Sequence, residues 1–233
     1  MRARTLLSWS SGKDSAWSLH ILRQMPDVEV VGLLTTVNEV ADRVAMHAVR
    51  SELLRAQAEA VGLPLHSVPI PWPCSNADYE AAMAGAIERA KSDRVTVMAF
   101  GDLFLQDIRT YRVEKLAGTG IDPLFPVWGI PTDRLAREMI AGGLRARLTC
   151  IDPKQLAAGF VGREFDAALL AELPQSVDPC GEQGEFHTFA HAGPMFRRPI
   201  NIRTGEIVER DGFVFADLMR ADPDNSSAER PES

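Results

Sequence analysis

A short polar segment near the start of the chain combines residue types that can hold a phosphate. It consists of Ser10, Ser11, Gly12, Lys13, Asp14 and Ser15 and is called the SSGKDS turn below. Hydroxyls and an ammonium donate to phosphate oxygens, and a glycine lets the backbone approach a ligand closely. A helix starting near Asp14 would add unpaired N–H groups and the positive end of its dipole. Asp14 fits if Mg²⁺ accompanies the phosphates, because Mg²⁺ binds one carboxylate together with phosphate oxygens.

Two other interpretations of the SSGKDS turn stay open at this point. The serines and the aspartate could simply cap a helix N-terminus. Ser10 and Lys13 also have the spacing of a serine acyl-enzyme pair, although the companion S-D-N and K-T-G motifs are missing from the sequence. The turn matches neither the Walker A pattern nor GxGxxG.

A second group of reactive side chains lies in the segment GEQGEFHTF. Its members are Glu182, Glu185, His187 and Thr188. If the segment is extended from Glu185 onwards, Glu185 and His187 share one face. A histidine there could accept a proton from an ammonium nucleophile, since its ordinary pKa is about 6.5. The alternatives are a solvated surface loop and a metal site made by Glu182, Glu185 and His187.

A third group follows a strand that looks buried. It comprises Asp102, Arg109, Arg112 and Glu114. Asp102 could help to hold Mg²⁺ or a substrate. Arg109 and Arg112 lie three residues apart on a predicted helix and could clamp a phosphate or a carboxylate. They could instead form surface ion pairs with Asp107 or Glu114.

The elements that must position these groups alternate along the first half of the chain. The predicted strands are Leu6–Trp9, Val28–Thr36, Leu65–Ile70 and Arg94–Phe100. The predicted helices are Asp14–Gln24, Ala45–Val61, Asn76–Lys91 and Gln106–Leu116. This alternation predicts an α/β fold with a parallel sheet and helices on both faces. Ligands bind at the carboxyl ends of such strands, where the SSGKDS turn lies and where backbone near Thr35 could contact adenine.

The second half of the chain has a different pattern. A helix Asp133–Ala141, a strand Leu144–Ile151, a helix Asp166–Leu173 and a loop over residues 178–196 are predicted. Two further strands, Gly205–Glu209 and Phe213–Leu218, face each other across Asp211-Gly212, a typical hairpin turn. We therefore expect an ATP-binding domain over residues 1–125, a smaller α+β substrate domain over residues 126–220 and a disordered tail over residues 221–233.

Composition excludes several classes of protein. The net charge of the 233-residue chain is −7, which argues against nucleic acid as a partner. No apolar run approaches the roughly 20 residues of a membrane helix, and no signal peptide precedes the first strand. The three cysteines are far apart, which favours a reducing, cytoplasmic location over a disulfide framework. The sequence leaves a homodimer open.

The SSGKDS turn resembles the SGGxDS pyrophosphate loop of the N-type ATP pyrophosphatases in the adenine nucleotide alpha hydrolase-like superfamily. The resemblance implies a Rossmann-like, HUP-type first domain in which residues 10–15 bind ATP and Asp14 holds Mg²⁺. Ser11 stands where the family pattern has glycine. A serine there requires a φ angle below zero.

Three further segments resemble motifs of the diphthine–ammonia ligase family. They are GDLFLQDIRTYRVEKL (Gly101–Leu116), DPLFPVW (Asp122–Trp128) and CGEQGEFHTFAHAGPMF (Cys180–Phe196). The resemblance implies a ligase that adenylates a carboxylate with ATP, amidates it with ammonia and releases AMP and pyrophosphate. The implied acceptor is a modified histidine of a translation elongation factor, or another small acid.

Roles for individual residues follow from this resemblance. Lys13, Glu185 and His187 are the candidate catalytic residues. The candidate substrate contacts are Asp102, Arg109, Arg112, Glu114, Glu182, Glu185, His187 and Thr188. The rings of Phe186, Phe189 and Trp128 could surround the trimethylammonium group of diphthine. The alternatives are an adenine-nucleotide-binding protein without turnover and an ATP pyrophosphatase with another acceptor, such as a tRNA. His47 is expected to be a partly buried structural residue or a neighbour of the nucleotide.

Overall fold

Five parallel strands form the centre of the first sheet in the computed structural model, which describes residues 1–38, 43–44 and 49–221. The strands of this sheet are β1 (Ala3–Ser8), β2 (Val28–Asn38), β3 (Arg43–Val44), β4 (Leu65–Ile70), β5 (Val97–Ala99) and β6 (Asp122–Leu124). The parallel strands lie in the order β4-β2-β1-β5-β6, and the short β3 pairs antiparallel with the end of β2. The predicted parallel α/β sheet is therefore confirmed.

Helices cover both faces of this sheet. The helices of the chain are α1 (Lys13–Gln24), α2 (Ser51–Val61), α3 (Asn76–Ser92), α4 (Gln106–Leu116), α5 (Thr132–Ala141) and α6 (Ala167–Glu172). Successive side chains of a strand point to opposite faces, and Leu6 and Leu7 of β1 accordingly belong to two separate hydrophobic clusters. The cluster of Leu7 includes residues of α1, α2 and α5, whereas that of Leu6 includes residues of α3.

The second sheet is antiparallel and packs on the same core as Leu7. Its strands are β7 (Arg145–Ile151), β8 (Phe186–Ala192), β9 (Ile202–Arg210) and β10 (Phe213–Arg220), in the order β8-β7-β10-β9. Asp211 and Gly212 have φ angles of 53° and 81°, as a two-residue hairpin turn between β9 and β10 requires. Phe189 of β8 lies in the same cluster as Leu7, so the two sheets share one hydrophobic core. The predicted smaller α+β part is confirmed.

Two predicted elements begin several residues later in the structure. Helix α2 begins at Ser51, because Arg50 has an extended backbone. Residues 45–48 of the predicted helix, which include His47, lie outside the described residues, as do residues 222–233 of the predicted tail. Strand β5 begins at Val97 and not at Arg94, because Arg94 makes a turn with a φ angle of 59°.

The prediction of a loop over residues 178–196 is wrong in its second half. Strand β8 occupies Phe186–Ala192 and pairs antiparallel with β7, with His187 opposite Cys150. The glycines and charged residues before Phe186 are typical of a loop, so the sequence did not indicate the strand. Strand β6 was also not predicted, because proline is rare within strands.

Candidate active site

The SSGKDS turn connects the carboxyl end of β1 to the start of α1. Gly12 is the N-cap of α1 and offers no capping side chain, although the N–H of Lys13 donates to the hydroxyl of Thr188. The hydroxyl of Ser15 donates to the carbonyl of Gly12 at 3.0 Å, and the hydroxyl of Ser10 donates to Ser15 at 3.2 Å. The turn thus has the backbone donors and the helix dipole that an anion requires.

The predicted neighbours of the turn along the sheet edge are close to it. The carbonyl of Leu34 accepts the N–H of Trp9 at 2.7 Å, which places the buried Thr35 beside the start of the turn. On the other side, a Cβ atom on Gly101 would lie 3.1 Å from the backbone nitrogen of Ser15. A larger residue would push this backbone back by a few tenths of an ångström, so the glycine brings the segment after β5 close against the first turn of α1.

Ser11 adopts a left-handed conformation with a φ angle of 71°, so the expectation of a negative φ is wrong. This conformation costs a residue with a Cβ atom about 1–2 kcal/mol. Its carbonyl accepts the N–H of Ala190 at 3.0 Å and the side-chain amide of Gln57 at 2.9 Å. Contacts from β8 and α2 therefore hold the strained residue in place.

The side chain of Lys13 is buried, with only 2% of it exposed. Its ammonium donates to both carboxylate oxygens of Asp14, at 3.0 and 2.9 Å, and to the carbonyl of Cys180. Burial lowers the pKa of Lys13, but the charges of Asp14 and other nearby acidic groups outweigh it, so the pKa lies above its ordinary value. Lys13 is charged, and the described contacts of its ammonium are to Asp14 and Cys180.

Two carboxylates organise the segment 178–185, called the 178–185 loop below. Glu185 is 1% exposed and accepts the N–H groups of Asp178 at 2.8 Å and Gln183 at 2.9 Å. Asp178 accepts the N–H of Cys180 at 2.8 Å and the hydroxyl of Thr132 at 2.6 Å. Both oxygens of Glu185 thus bind backbone within the loop, and its catalytic and substrate-binding roles stay predictions.

Glu182 extends from this loop towards the first sheet. Its carboxylate accepts the N–H of Leu103 at 2.9 Å. Burial raises the pKa of Glu182 to about 7, and the carboxylates of Asp14 and Asp102 add to the shift. A carboxyl group with this pKa can exchange a proton near neutral pH.

His187 and Thr188 follow on β8. Burial lowers the pKa of His187 to about 4, and the nearby ammonium of Lys13 contributes, so the imidazole is neutral at pH 7. The hydroxyl of Thr188 accepts the backbone N–H of Lys13 at 3.1 Å. Thr188 is 2% exposed and joins the second sheet to the SSGKDS turn, and its contact with a substrate stays a prediction.

Helix α4 carries the predicted arginine pair. Arg112 lies 3.6 Å from Asp102 and above the ring of Phe100. Burial raises the pKa of Asp102, although Arg112 opposes the shift. The guanidinium of Arg109 lies 4.8 Å from the ring centre of Trp128. The pair thus contacts Asp102 and aromatic rings, whereas Glu114 is exposed on the outer part of α4.

The three rings suggested for a trimethylammonium group do not form an open cage. Phe186 and Phe189 are buried in the core, and Phe186 lies near the ammonium of Lys13. Trp128 is partly exposed and has the guanidinium of Arg109 over its ring. The burial of Phe186 and Phe189 therefore argues against their part in this expectation.

Gln57 and Asp178 were missed by sequence reasoning. Gln57 lies in the middle of an amphipathic helix, where a glutamine usually faces water, and Asp178 precedes a proline in a segment without periodicity. Neither residue has a motif that would identify it. The hydrogen bonds that identify both come from parts of the chain 46 to 133 residues away.

The described thiols do not form a reactive centre. All three cysteines are unpaired. Burial raises the pKa of Cys150 to about 12 and also raises that of Cys180. Both thiols are therefore protonated at neutral pH, which argues against sulfur transfer through them.

Two family models match the chain. They are the diphthamide synthase N-terminal domain, over residues 2–119, and the diphthamide synthase C-terminal domain, over residues 131–221. The chain belongs to the diphthamide synthase family. The N-terminal match contains the SSGKDS turn and most of the first sheet, and the C-terminal match contains the 178–185 loop and the second sheet.

Individual members of the family are similar over most of their length. The chain is 26% identical to a human protein named diphthine–ammonia ligase, over 93% of this chain and 88% of that protein. The proteins of that name from Bos taurus and Danio rerio are 25% and 30% identical, over 93% and 68% of this chain. The match covers 88% of the Bos taurus protein and 68% of the Danio rerio protein.

Among the described helices, none has the length and apolar character needed to cross a membrane. Within residues 1–38, 43–44 and 49–221, no three histidine, cysteine or carboxylate side chains are placed to hold one metal ion. Asp14 has 25% of its side chain exposed, and both of its oxygens accept hydrogen bonds from the ammonium of Lys13.

Proposed function

We propose that this member of the diphthamide synthase family is an ATP-dependent, AMP-forming ligase that converts a carboxylate into an amide with ammonia. The acceptor we propose is the carboxylate of diphthine, a modified histidine on a translation elongation factor. A different small acid is the alternative acceptor. A translation factor as acceptor implies that the enzyme works in the cytoplasm.

One contact carries this proposal. The backbone N–H of Lys13 donates to the hydroxyl of Thr188, so the uncapped start of α1 directly touches the strand that follows the 178–185 loop. An amide-forming ligase of this kind must bring ammonia and a proton acceptor to the acyl carbon of the acyl-adenylate. The contact between the two segments supports such a shared site at the carboxyl edge of the first sheet.

The first step requires positive charge around the leaving pyrophosphate. A carboxylate oxygen of the acceptor attacks the α-phosphorus, and the bond to the β-phosphate breaks. We assign the binding of the phosphates to the N–H groups at the start of α1 and the hydroxyls of Ser10 and Ser15. Lys13 supplies positive charge next to them, which stabilises the charge developing on the leaving group.

Mg²⁺ would be bound by Asp14 in this scheme. A single, partly exposed carboxylate suits the ion, because Mg²⁺ with ATP takes most of its ligands from phosphate oxygens and water. When bound, the ion would supply charge neutralisation at the phosphates. Asp102 lies near Asp14 and contributes negative charge to the same edge.

The second step requires a proton acceptor. The nitrogen of ammonia attacks the acyl carbon, the bond to AMP breaks, and one proton leaves the nitrogen. Glu182, with a pKa of about 7, is better matched to this role than His187, whose pKa is about 4. We therefore propose Glu182 as the proton acceptor and the neutral imidazole of His187 as a hydrogen-bonding group that orients the acceptor.

The division of labour between the two parts of the chain is also a proposal. Residues 1–125 bind ATP and residues 126–220 supply the proton acceptor. Arg109 and Arg112 lie on the edge where the acceptor would enter and are available to its negative groups. The homodimer remains a prediction.

Incubation of the purified protein with ATP, ammonium and a diphthine-bearing translation factor tests the proposal. AMP, pyrophosphate and the amidated factor are expected in equal amounts. Formation of ADP and phosphate would contradict the proposed chemistry. Tight ATP binding without any turnover would favour a nucleotide-binding protein, and AMP formation that does not depend on the factor would point to another acceptor.

A further inference from the structure

Gln57 is a fully buried polar residue that joins three parts of the protein. It lies on α2, and none of its surface is exposed. Its side-chain oxygen accepts the indole N–H of Trp9 at 2.8 Å. Its side-chain nitrogen donates to the carbonyl of Ser11 at 2.9 Å and to the carbonyl of Ala190 at 2.6 Å.

The orientation of this amide is fixed by its partners. The indole of Trp9 can only donate, and the backbone carbonyls of Ser11 and Ala190 can only accept. Rotation of the amide by 180° would set donor against donor and acceptor against acceptor. The Gln57 side chain is therefore a rigid connection between the end of β1, the SSGKDS turn and β8.

This connection determines where the next peptide N–H points. A peptide unit is planar and trans, so its N–H and its carbonyl point in opposite directions. Gln57 holds the Ser11 carbonyl on the α2 side, and the N–H of Gly12 consequently points away from α2. There it meets the hydroxyl of Ser10 at 3.3 Å, a long contact that a better acceptor could replace.

The same hydrogen bond helps to keep Ser11 left-handed. The carbonyl of Ser11 receives two donors, the amide of Gln57 and the N–H of Ala190. Rotation of Ser11 to a relaxed negative φ would move this carbonyl away from both donors. The contacts offset the strain of a φ angle of 71° at a residue with a Cβ atom.

We propose that Gln57 is a positioning residue for ATP: its amide holds the Ser11 carbonyl so that the N–H of Gly12 and the start of α1 face the phosphates. The inference rests on the proposed function, since it assumes that the SSGKDS turn binds ATP. Gln57 itself does not touch the nucleotide. Through Ala190 it also makes the shape of the turn depend on β8.

Calorimetric titration with ATP and Mg²⁺ tests this role in Gln57→Met, which keeps the side-chain volume but removes the donors. We expect the dissociation constant for ATP to rise about 10- to 100-fold, as for loss of the hydrogen bond from the N–H of Gly12 to a charged phosphate. The KM for ATP should rise by a similar factor, with a smaller change in kcat. A folded Gln57→Met protein with the wild-type affinity would overturn the inference, whereas a wild-type protein that fails to bind ATP would contradict the proposed function itself.

Leu54→Ala is the matched control. Leu54 lies on the same helix and its side chain is buried in the core. This variant should unfold at a lower temperature but bind ATP as the wild type does at 20 °C. An equal loss of affinity in Leu54→Ala would mean that any weakening of α2 impairs binding, which would overturn a specific role for Gln57.

A second substitution separates positioning from core packing. Glycine adopts a positive φ without strain, so Ser11→Gly in the Gln57→Met background should restore part of the lost affinity. No restoration would contradict the proposed action through Ser11. If Gln57→Met does not fold, Gln57→Ala replaces it, because it also removes the donors to Ser11 and Ala190 and places no charge in the core. The same loss of affinity is then expected, and wild-type affinity would again overturn the inference.

Discussion

The SSGKDS turn and the 178–185 loop face the same edge of the first sheet but are built in opposite ways. The turn leaves the start of α1 without a side-chain cap and contains a serine in a strained conformation. The loop binds its own backbone N–H groups with the carboxylates of Asp178 and Glu185. A segment that reserves its donors for a ligand must be held from outside, whereas a segment that satisfies its own donors is preformed.

This difference predicts separate consequences for the buried charges of the two segments. Loss of a charge in the turn should impair chemistry more than folding. Loss of Asp178 or Glu185, the two carboxylates that bind the N–H groups of the loop, should impair folding first. The predictions below run from the largest expected effect to the smallest.

Lys13→Ala should lower the rate of AMP formation about 100- to 1000-fold, the effect of removing one preorganised group that stabilises a developing negative charge. The exposed Lys91 provides the control, because its partner Glu88 lies on the outer face of α3. Lys91→Ala should keep the wild-type rate. A wild-type rate of AMP formation in Lys13→Ala would contradict the proposed role of the turn in adenylation.

Glu185→Ala should lower the free energy of unfolding by about 2–5 kcal/mol, because two backbone N–H groups lose a charged acceptor in the interior. Urea denaturation monitored by fluorescence measures this change. Glu172→Ala is a control at an exposed carboxylate that pairs with Arg163, and it should change the free energy by less than about 1 kcal/mol. Equal stability of both variants would contradict the role of Glu185 in the loop.

Glu182 and His187 should give opposite pH dependences of stability. The folded pKa of Glu182 is raised to about 7, so the folded state binds the proton more tightly, and stability falls as pH rises from about 4.5 to 7. The folded pKa of His187 is lowered to about 4, so its contribution rises with pH between about 4 and 6.5. The contributions of Glu182 and His187 to the free energy of unfolding therefore change in opposite directions between about pH 4.5 and 6.5.

Unfolding measured between pH 4.5 and 6.5 distinguishes the two residues. Relative to the wild type, Glu182→Gln should gain stability as pH rises, and His187→Asn should lose it. The same slope in both variants would contradict the assigned shifts.

Ser11→Gly is expected to produce the smallest effect. It removes the left-handed strain and should raise the free energy of unfolding by up to about 1 kcal/mol. The midpoint of urea denaturation reports this change. A loss of stability would mean that the serine side chain contributes more than its backbone conformation costs.

Much of the first sheet could be predicted from local patterns. Strand β4 and helix α4 have their predicted ends. Prolines at positions 64 and 71 mark the two ends of the strand in the sequence. The SSGKDS turn was also located correctly at the start of α1. These features depend on residues that are neighbours in the chain.

The contacts of the site residues could not be predicted in the same way. The sequence indicates that Glu185 and Thr188 are unusual, but their partners are determined by how the two sheets pack. The same packing buries Gln57 and strains Ser11. The pKa values of Glu182 and His187 arise from burial, so the sequence could not indicate which of them is suited to accept a proton.

The central claim is that the turn serves adenylation and that Glu182 serves amidation. Acceptor-dependent exchange of radioactive pyrophosphate into ATP, measured without ammonia, reports the first step alone. Glu182→Gln should retain this exchange and lose amide formation when ammonium is added, whereas Lys13→Ala should lose both. Loss of exchange in Glu182→Gln to the same extent as in Lys13→Ala would contradict this division of roles between the two segments.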